Sequence, residues 1–227
     1  MKNEVETPVL IVGAGPAGLE AAHILGKRGY QVTLAEATTT LGGRVARERL
    51  LPGLSAWGRV ADYRLYQLQQ RATVQLYPAS TLSAEDIISF GFQHICVATG
   101  ALWRADGVAR QHITPLPADP RLPVFTPDDL MQGRLPSGQV VIYDDDHYYM
   151  GGVLAELCAQ KGCAVTLITP SAFVSDWTAN TLEQAARQAL HMAVQLQVQQ
   201  LGLQGRSVPA GAGLQGVQAD GVVTQGL

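Results

Sequence analysis

The chain has 227 residues, 47% of them apolar and 15% charged, with a formal net charge of −3. That length carries one large domain or two small ones, and that composition suits a well-buried core. The charge gives no electrostatic reason for a nucleic-acid or anionic-membrane partner, and no apolar run approaches the roughly 20 residues needed to span a bilayer.

Residues 1–7 are polar and lack the apolar stretch of a signal peptide, so a cytoplasmic protein is the expectation. The run Val9-Leu10-Ile11-Val12 ends at glycine, as a central parallel strand does. Residues 13–18, Gly-Ala-Gly-Pro-Ala-Gly, turn the chain; residues 19–27 read as a helix ending near Gly29, and 31–35 as a second strand closed by Glu36. After the loop at 41–44, residues 56–71 read as a helix, 73–77 as a strand stopped by Pro78, and 83–89 as a short helix. In that last helix Ser83 and Asp86 form a capping box with Asp in place of Glu. Residues 94–98 are another apolar strand running into Thr99-Gly100.

Residues 105–138 are rich in Pro, Gly and Asp, which suggests a crossover between domains. A second strand–turn–helix–strand follows, with strands at 139–143 and 164–169 and a helix at 152–160. Strands alternating with helices imply an α/β fold with parallel sheets. The expected organisation is a Rossmann-like domain over 1–104, a linker over 105–138, a degenerate second module over 139–184 and an atypical tail over 185–227. In the tail the charges nearly vanish and Gly-Leu-Gln-Gly occurs at 202–205 and again at 213–216. Its composition reads as poorly packed or disordered, or as the product of an altered reading frame.

The first turn carries the chemistry. Gly13 permits the tight turn, Gly15 lets the backbone approach a pyrophosphate, and Gly18 allows close helix–strand packing. The phosphates then meet the free N–H groups and positive dipole end of the helix. Glu36, 23 residues after Gly13, can accept hydrogen bonds from a ribose diol and disfavours a 2′-phosphate. Gly43 and Arg44 offer backbone and guanidinium to the pyrophosphate, although Arg44 also reads as a solvated surface charge. Thr99 and Gly100 can meet the cofactor from the end of their strand, and Thr99 reads equally as a strand-end cap. The candidate binding set is Gly13, Gly15, Pro16, Ala17, Gly18, Glu36, Ala37, Gly43, Arg44, Thr99 and Gly100, for FAD or ADP.

The second turn reads as a loss. Gly18 stands eleven residues before Gly29, and Gly151 eleven before Gly162, which places Asp146 and Tyr148 where Gly13 and Gly15 stand. A side chain at the second glycine's position blocks the backbone's approach to phosphate. Asp144, Asp145 and Asp146 add repulsion, several kcal/mol for like charges at about 4 Å and intermediate dielectric. Thr169 stands where Glu36 stands, so NAD(P)H binding is not expected here. The 144–147 segment is weighed as a metal site against a solvated acidic loop, with the loop preferred. Tyr148, Tyr149 and Met150 are expected to pack over the vacant pocket, and Trp57, Trp103 and Trp177 to anchor core or interface. Cys96, Cys158 and Cys163 form no disulfide framework; the first two read as small buried hydrophobes. No metal is expected, and no catalytic residue can be named.

The glycine turn with Glu36, the Leu-Gly-Gly-Arg at 41–44, Ala-Thr-Gly-Ala at 98–101 and the stretch Val-Ile-Tyr-Asp-Asp-Asp-His-Tyr-Tyr-Met-Gly-Gly at 141–152 resemble a known family. They are similar to the C-terminal FAD/NAD-like part of the trimethylamine, dimethylamine and histamine dehydrogenases, within the NADH:flavin oxidoreductase family. The resemblance covers about residues 8–184. It implies that a barrel carrying FMN and an iron–sulfur cluster does the chemistry, that the first module holds FAD or a structural ADP, and that a protein partner supplies the barrel. The chain departs from the family in having no barrel and no later strand and helix closing the FAD-type domain. The expected function is an oxidoreductase-related flavoprotein domain supporting electron transfer without its own catalytic centre. The alternative is a non-catalytic ADP-binding interaction module of a larger complex.

Overall fold

The structure is a computed structural model that describes residues 7–110, 113–115, 119, 121–186, 197–200 and 221–225. The Gly-Leu-Gln-Gly repeats of the tail lie outside the described residues. The chain divides into two compact units, Met1–Ala101 and Leu102–Leu227.

In the first unit β1 (Val9–Val12), β2 (Val32–Ala35), β3 (Val74–Tyr77) and β4 (His94–Val97) form a parallel sheet of order β3-β2-β1-β4. β1 is buried along its whole length, as its unbroken apolar run requires of a central strand. Helix α1 (Pro16–Arg28) starts with Pro at its first position, where the missing N–H costs nothing. It ends at Gly29 in the left-handed region (φ +93°), whose N–H donates to Gly26 while that of Tyr30 donates to Leu25. Its buried face, Gly18, Leu19, Ala22, His23 and Gly26, follows the spacing of one helical side. Helix α2 (Arg44–Glu48), a single 3₁₀ turn at Ser55–Gly58, helix α3 (Arg59–Gln69) and helix α4 (Ala84–Ser89) complete the unit. Ala61 and Leu68 of α3 join Leu19 and Ala22 in the core over Ile11 and Leu34. Burying each Leu or Ile contributes about 1.5–3 kcal/mol.

Two expectations are corrected here. The helix expected at 56–71 is a 3₁₀ turn followed by α3, and the apolar Val60 and Tyr63 on α3 are exposed. β4, an apolar run like β1, lies at the sheet edge, so Ile95 and Val97 are 42% and 66% exposed and Cys96 is only half-buried. An apolar run by itself does not distinguish an edge from a centre.

In the second unit β5 (Val124–Phe125), β6 (Gln139–Asp144), β7 (Ala164–Thr169), β8 (Gln197–Gln200) and β9 (Gly221–Gln225) pair in parallel in the order β5-β9-β6-β7-β8. Helix α5 (Pro127–Met131) is capped by Thr126 and Asp129, and α6 (Met150–Gln160) joins β6 to β7. The stretch read as a linker thus supplies β5 and α5, and the stretch read as a tail supplies β8 and β9. Val223 of β9 is fully buried between β5 and β6. Both sheets contain the same four-strand order, β3-β2-β1-β4 and β8-β7-β6-β9, which places a topological switch beside the first strand of each.

Candidate functional site

Ligands of open parallel sheets sit outside the carboxyl ends of the strands at such a switch. In the first unit that end of β1 is the glycine turn. Gly13 has φ +102°, and a Cβ added there would lie 2.4 Å from the carbonyl oxygen of Ala98 at the end of β4. A Cβ at Gly18 would lie 1.9 Å from the carbonyl oxygen of Gly13. These two glycines lock turn, helix and sheet together. Gly15 differs, because its φ of −70° suits any residue and nothing lies within 4 Å of an added Cβ. Its freedom from side chain leaves open space above the turn rather than room for a neighbour.

The other predicted residues gather around that space. Gly43 (φ +56°) packs its backbone on Gly15, where an added Cβ would come within 2.8 Å of the Gly15 Cα. The N–H of Gly42 donates to Ala14 at 2.8 Å. Arg44, half-buried at the start of α2, donates from its guanidinium to the carbonyl of Ala101, spanning from α2 to the segment after β4. It is therefore tied to the site's rim rather than free in solvent. Thr99 is exposed, and Gly100 (φ +76°) has open space beside it. Pro16 and Ala17 open α1, which has no side-chain cap on its first-turn amides. Glu36 accepts from the Ala14 N–H at 2.8 Å through one oxygen, and from the Thr38 N–H and hydroxyl at 2.9 Å through the other. Partial burial opposes its ionisation, but these donors and the N–H of Ala37 outweigh it and hold the carboxyl below its usual range. The carboxylate keeps lone pairs for a diol while being fixed by the turn it faces. Uncapped helix amides as donors, an unobstructed glycine and an ionised acid as acceptor are a set that fits an adenosine diphosphate group.

The second turn is built differently. A Cβ at Gly151 would lie 2.6 Å from the Cγ of Asp144 and 2.7 Å from its Oδ2. Where the first turn presses a backbone carbonyl against the helix glycine, the second presses a carboxylate. Asp144 Oδ1 accepts the N–H of His147 at 3.0 Å, and His147 takes the left-handed conformation (φ +60°). The imidazole reaches Asp145 through Nε2 at 3.2 Å and the Thr169 hydroxyl through Nδ1 at 3.3 Å. Asp144, Asp145, His147 and Thr169 are all buried. The acidic loop expected to be solvated is therefore interior, and among the described residues no group suited to hold a metal is formed. Burial pushes Asp144 up to about 6, a rise the His147 amide and charge oppose and Asp146 reinforces. Contact with the Asp145 carboxylate holds His147 above its ordinary value against its own burial. A turn filled by its own carboxylate does not fit a dinucleotide's phosphates.

Met150 is buried, and the neighbouring Tyr148 and Tyr149 rings meet edge to face at 5.1 Å. Trp177, expected to anchor core or interface, is not part of the core: it is 47% exposed, with the Arg110 guanidinium 4.4 Å above its ring. The burial of the 144–147 cluster was missed because its walls, Thr169 and the turn at 175–178, come from elsewhere in the chain. No described helix is long and apolar enough to cross a membrane.

The sequence profile of the NAD(P)-binding Rossmann-like domain matches residues 11–74. The chain is 39% identical over 170 residues to the dimethylamine dehydrogenase of Hyphomicrobium sp. (strain x), a match covering 71% of this chain and 23% of that enzyme. It is 50% identical to the solved histamine dehydrogenase of Rhizobium sp. 4-9, with a TM-score of 0.91, covering 100% of this chain and 37% of that one. The 6-hydroxypseudooxynicotine amine oxidase of Pseudomonas geniculata N1 is 42% identical with a TM-score of 0.88, covering 98% of this chain and 35% of that one. The chain thus spans roughly a quarter to a third of the length of these relatives.

Proposed function

The chain belongs to the family of the dimethylamine and histamine dehydrogenases, as its FAD/NAD-like part, and from that premise we propose that its first unit holds ADP or FAD in support of electron transfer. The coarser statement, an oxidoreductase-related dinucleotide-binding domain, follows from the profile and relatives directly. The observation that carries the finer one is the open space above Gly15, between two glycines whose own space is filled by backbone.

The amides opening α1 would take the pyrophosphate, with Gly43 and the Arg44 guanidinium closing from the α2 side. Glu36 would accept the ribose hydroxyls and, being ionised, turn away a 2′-phosphate. Bound FAD would supply reversible two-electron redox chemistry, whereas bound ADP would supply none. The second unit's turn holds its own carboxylate and is assigned no nucleotide. The redox centre that reacts with substrate is then carried elsewhere, on a protein portion of the barrel type, with FMN and an iron–sulfur cluster. Relatives named for amine oxidation and other reductions favour this reading over a non-catalytic interaction module.

The test is the visible absorption spectrum of the purified protein, with chromatography of whatever nucleotide denaturation releases. Released ADP or FAD near one per chain supports the reading, and the spectrum separates the two. Glu36→Gln is expected to weaken ADP binding about tenfold, about 1.4 kcal/mol. Absence of any nucleotide, with no binding of added ADP by calorimetry, would sink the assignment.

A further inference from the structure

Helix α6 ends in a hydrogen-bonded turn that carries two cysteines. The N–H of Gly162, at φ +85°, donates to the Ala159 carbonyl at 2.9 Å, and the N–H of Cys163 donates to the Cys158 carbonyl at 3.0 Å. This pair of bonds is the Schellman motif, and the positions of Cys158 and Cys163 are the two whose side chains commonly meet in it. Cys158 is buried and Cys163 half-buried. A carbonyl oxygen lies about 2.4 Å, and an amide nitrogen about 1.5 Å, from its own Cα. A 3.0 Å bond between the two groups therefore keeps the Cα atoms within about 6.9 Å, and closer on any bent path. A disulfide spans about 4.4–6.8 Å between Cα atoms. The Cys163 thiol meets the Pro136 carbonyl at 3.4 Å, a weak contact that a bridge would replace.

We propose that Cys158 and Cys163 are a dithiol pair that a small-molecule disulfide oxidises to a bridge, stapling the end of α6 to the start of β7. Cys163, the more exposed, gives its proton to solvent, and its thiolate attacks one sulfur of the external disulfide. A mixed disulfide forms and one external thiolate leaves. Cys158 then loses its proton, attacks the Cys163 sulfur and expels the second external thiolate. Two cysteine thiols are thereby oxidised and one external disulfide is reduced to two thiols, with no other reactant. Burial pushes the Cys158 thiol up to about 12, and charge on Cys163 reinforces the rise. Partial burial raises Cys163 as well. Both therefore rest as thiols at neutral pH, so closure is slow there and faster in base. Once Cys163 is in the mixed disulfide, its charge no longer opposes ionisation of Cys158. Ala164, the next residue, begins β7 and donates its N–H to the Gly138 carbonyl at 2.9 Å, so the staple sits where β7 meets the segment leading into β6. The pair lies in the second unit and does not rest on nucleotide binding in the first.

The test treats the reduced full chain with oxidised glutathione between about pH 7 and pH 9, then caps the remaining thiols and maps the peptides by mass. The expected product is a Cys158–Cys163 linked peptide lighter by two hydrogens, forming about tenfold faster per pH unit. Cys163→Ser should leave Cys158 free of glutathione, because the entry thiol is gone. In equilibrium with dithiothreitol, the bridge should be favoured about tenfold more in the folded chain than in the urea-denatured one, since the native turn already holds the span. Two results from the wild-type chain alone overturn the pair: both residues recovered as thiols after the most basic reaction, or Cys163 carrying glutathione while Cys158 stays a thiol. A bridge no harder to reduce in the folded chain than in urea, or a Cys163→Ser chain whose Cys158 takes up glutathione at an undiminished rate, overturns it as well.

Discussion

The two units solve one geometric problem with different groups. Each runs a buried strand into a turn and then a helix with an early glycine. In the first, the atom pressed on that glycine is the carbonyl of Gly13, and the space over Gly15 is left open. In the second it is the carboxylate of Asp144, anchored by the His147 N–H. An open turn with bare amides is suited to an anion from outside, whereas a turn with an internal anion is complete. What distinguishes the candidate ligand site from the second turn is which group fills a few ångströms beside one glycine.

The sharpest way to break this comparison lies within the first turn. Gly13→Val forces a side chain onto the Ala98 carbonyl at φ +102° and is expected to destabilise the first unit by about 3 kcal/mol or more in chemical denaturation. At Gly15 an added Cβ meets nothing within 4 Å and φ is −70°, so Gly15→Val should leave unliganded stability within about 0.5 kcal/mol. The same variant should weaken ADP binding roughly a hundredfold, about 2.7 kcal/mol, by standing where the phosphate approaches. Equal loss of stability in the two variants would mean that Gly15 serves packing and that the open space is not a site.

This distinction was half legible in the sequence. The spacing of Gly13, Gly15 and Gly18, the strand before and helix after them, and Glu36 lie within a few dozen residues, so local pattern carried the fold and brought the candidate residues to one turn. Arg44 was ambiguous because its hydrogen-bond partner, the carbonyl of Ala101, lies 57 residues away. At the second turn the departure from the glycine pattern was readable from Asp146 and Tyr148, but the burial of the acids was not. Thr169 is 22 residues from His147, and a run of three Asp reads locally as solvated charge. β8, Gln-Val-Gln-Gln, gave no apolar signal because its place is fixed by backbone register on β7.

Acid should move the two units in opposite directions. Asp144 has a folded value of about 6 against 3.8 for the free group, so its contribution is in place below about 3.8 and lost as pH rises through about 6. His147, also raised, extends that loss above 6.5. Glu36 is depressed, so its contribution is in place above 4.5 and lost as pH falls through its folded value. Asp144→Asn should therefore flatten the decline of the second unit between pH 4 and 6, a difference on the order of 2 kcal/mol in urea unfolding. A wild-type and variant pair with parallel pH profiles would place the Asp144 carboxylate in water.

Gly151→Ala sharpens the comparison with a smaller effect. Its methyl meets a side chain, not backbone, so the cost should be about 1–2 kcal/mol, and adding Asp144→Gly should restore part of it. Gly18→Ala meets the Gly13 carbonyl, and no side-chain truncation can relieve it. If the Gly151 and Asp144 variants add without coupling, the carboxylate is not the group that fills the turn.

A last pair of variants tests the sheet that supports the first turn. Val12 and Val97 are partners in the register of β1 and β4, yet Val12 is 9% exposed and Val97 66%. Thr keeps the branched shape and strand preference of Val and changes one methyl to a hydroxyl, so burial alone decides the cost. Val12→Thr should cost about 1–3 kcal/mol, because the hydroxyl enters the sheet's interior. Val97→Thr should stay within about 0.5 kcal/mol, because its hydroxyl remains hydrated. A loss above about 1 kcal/mol at Val97 would mean that the edge strand is covered in solution, and the contrast between an open edge and a closed centre would then belong to the isolated sheet alone.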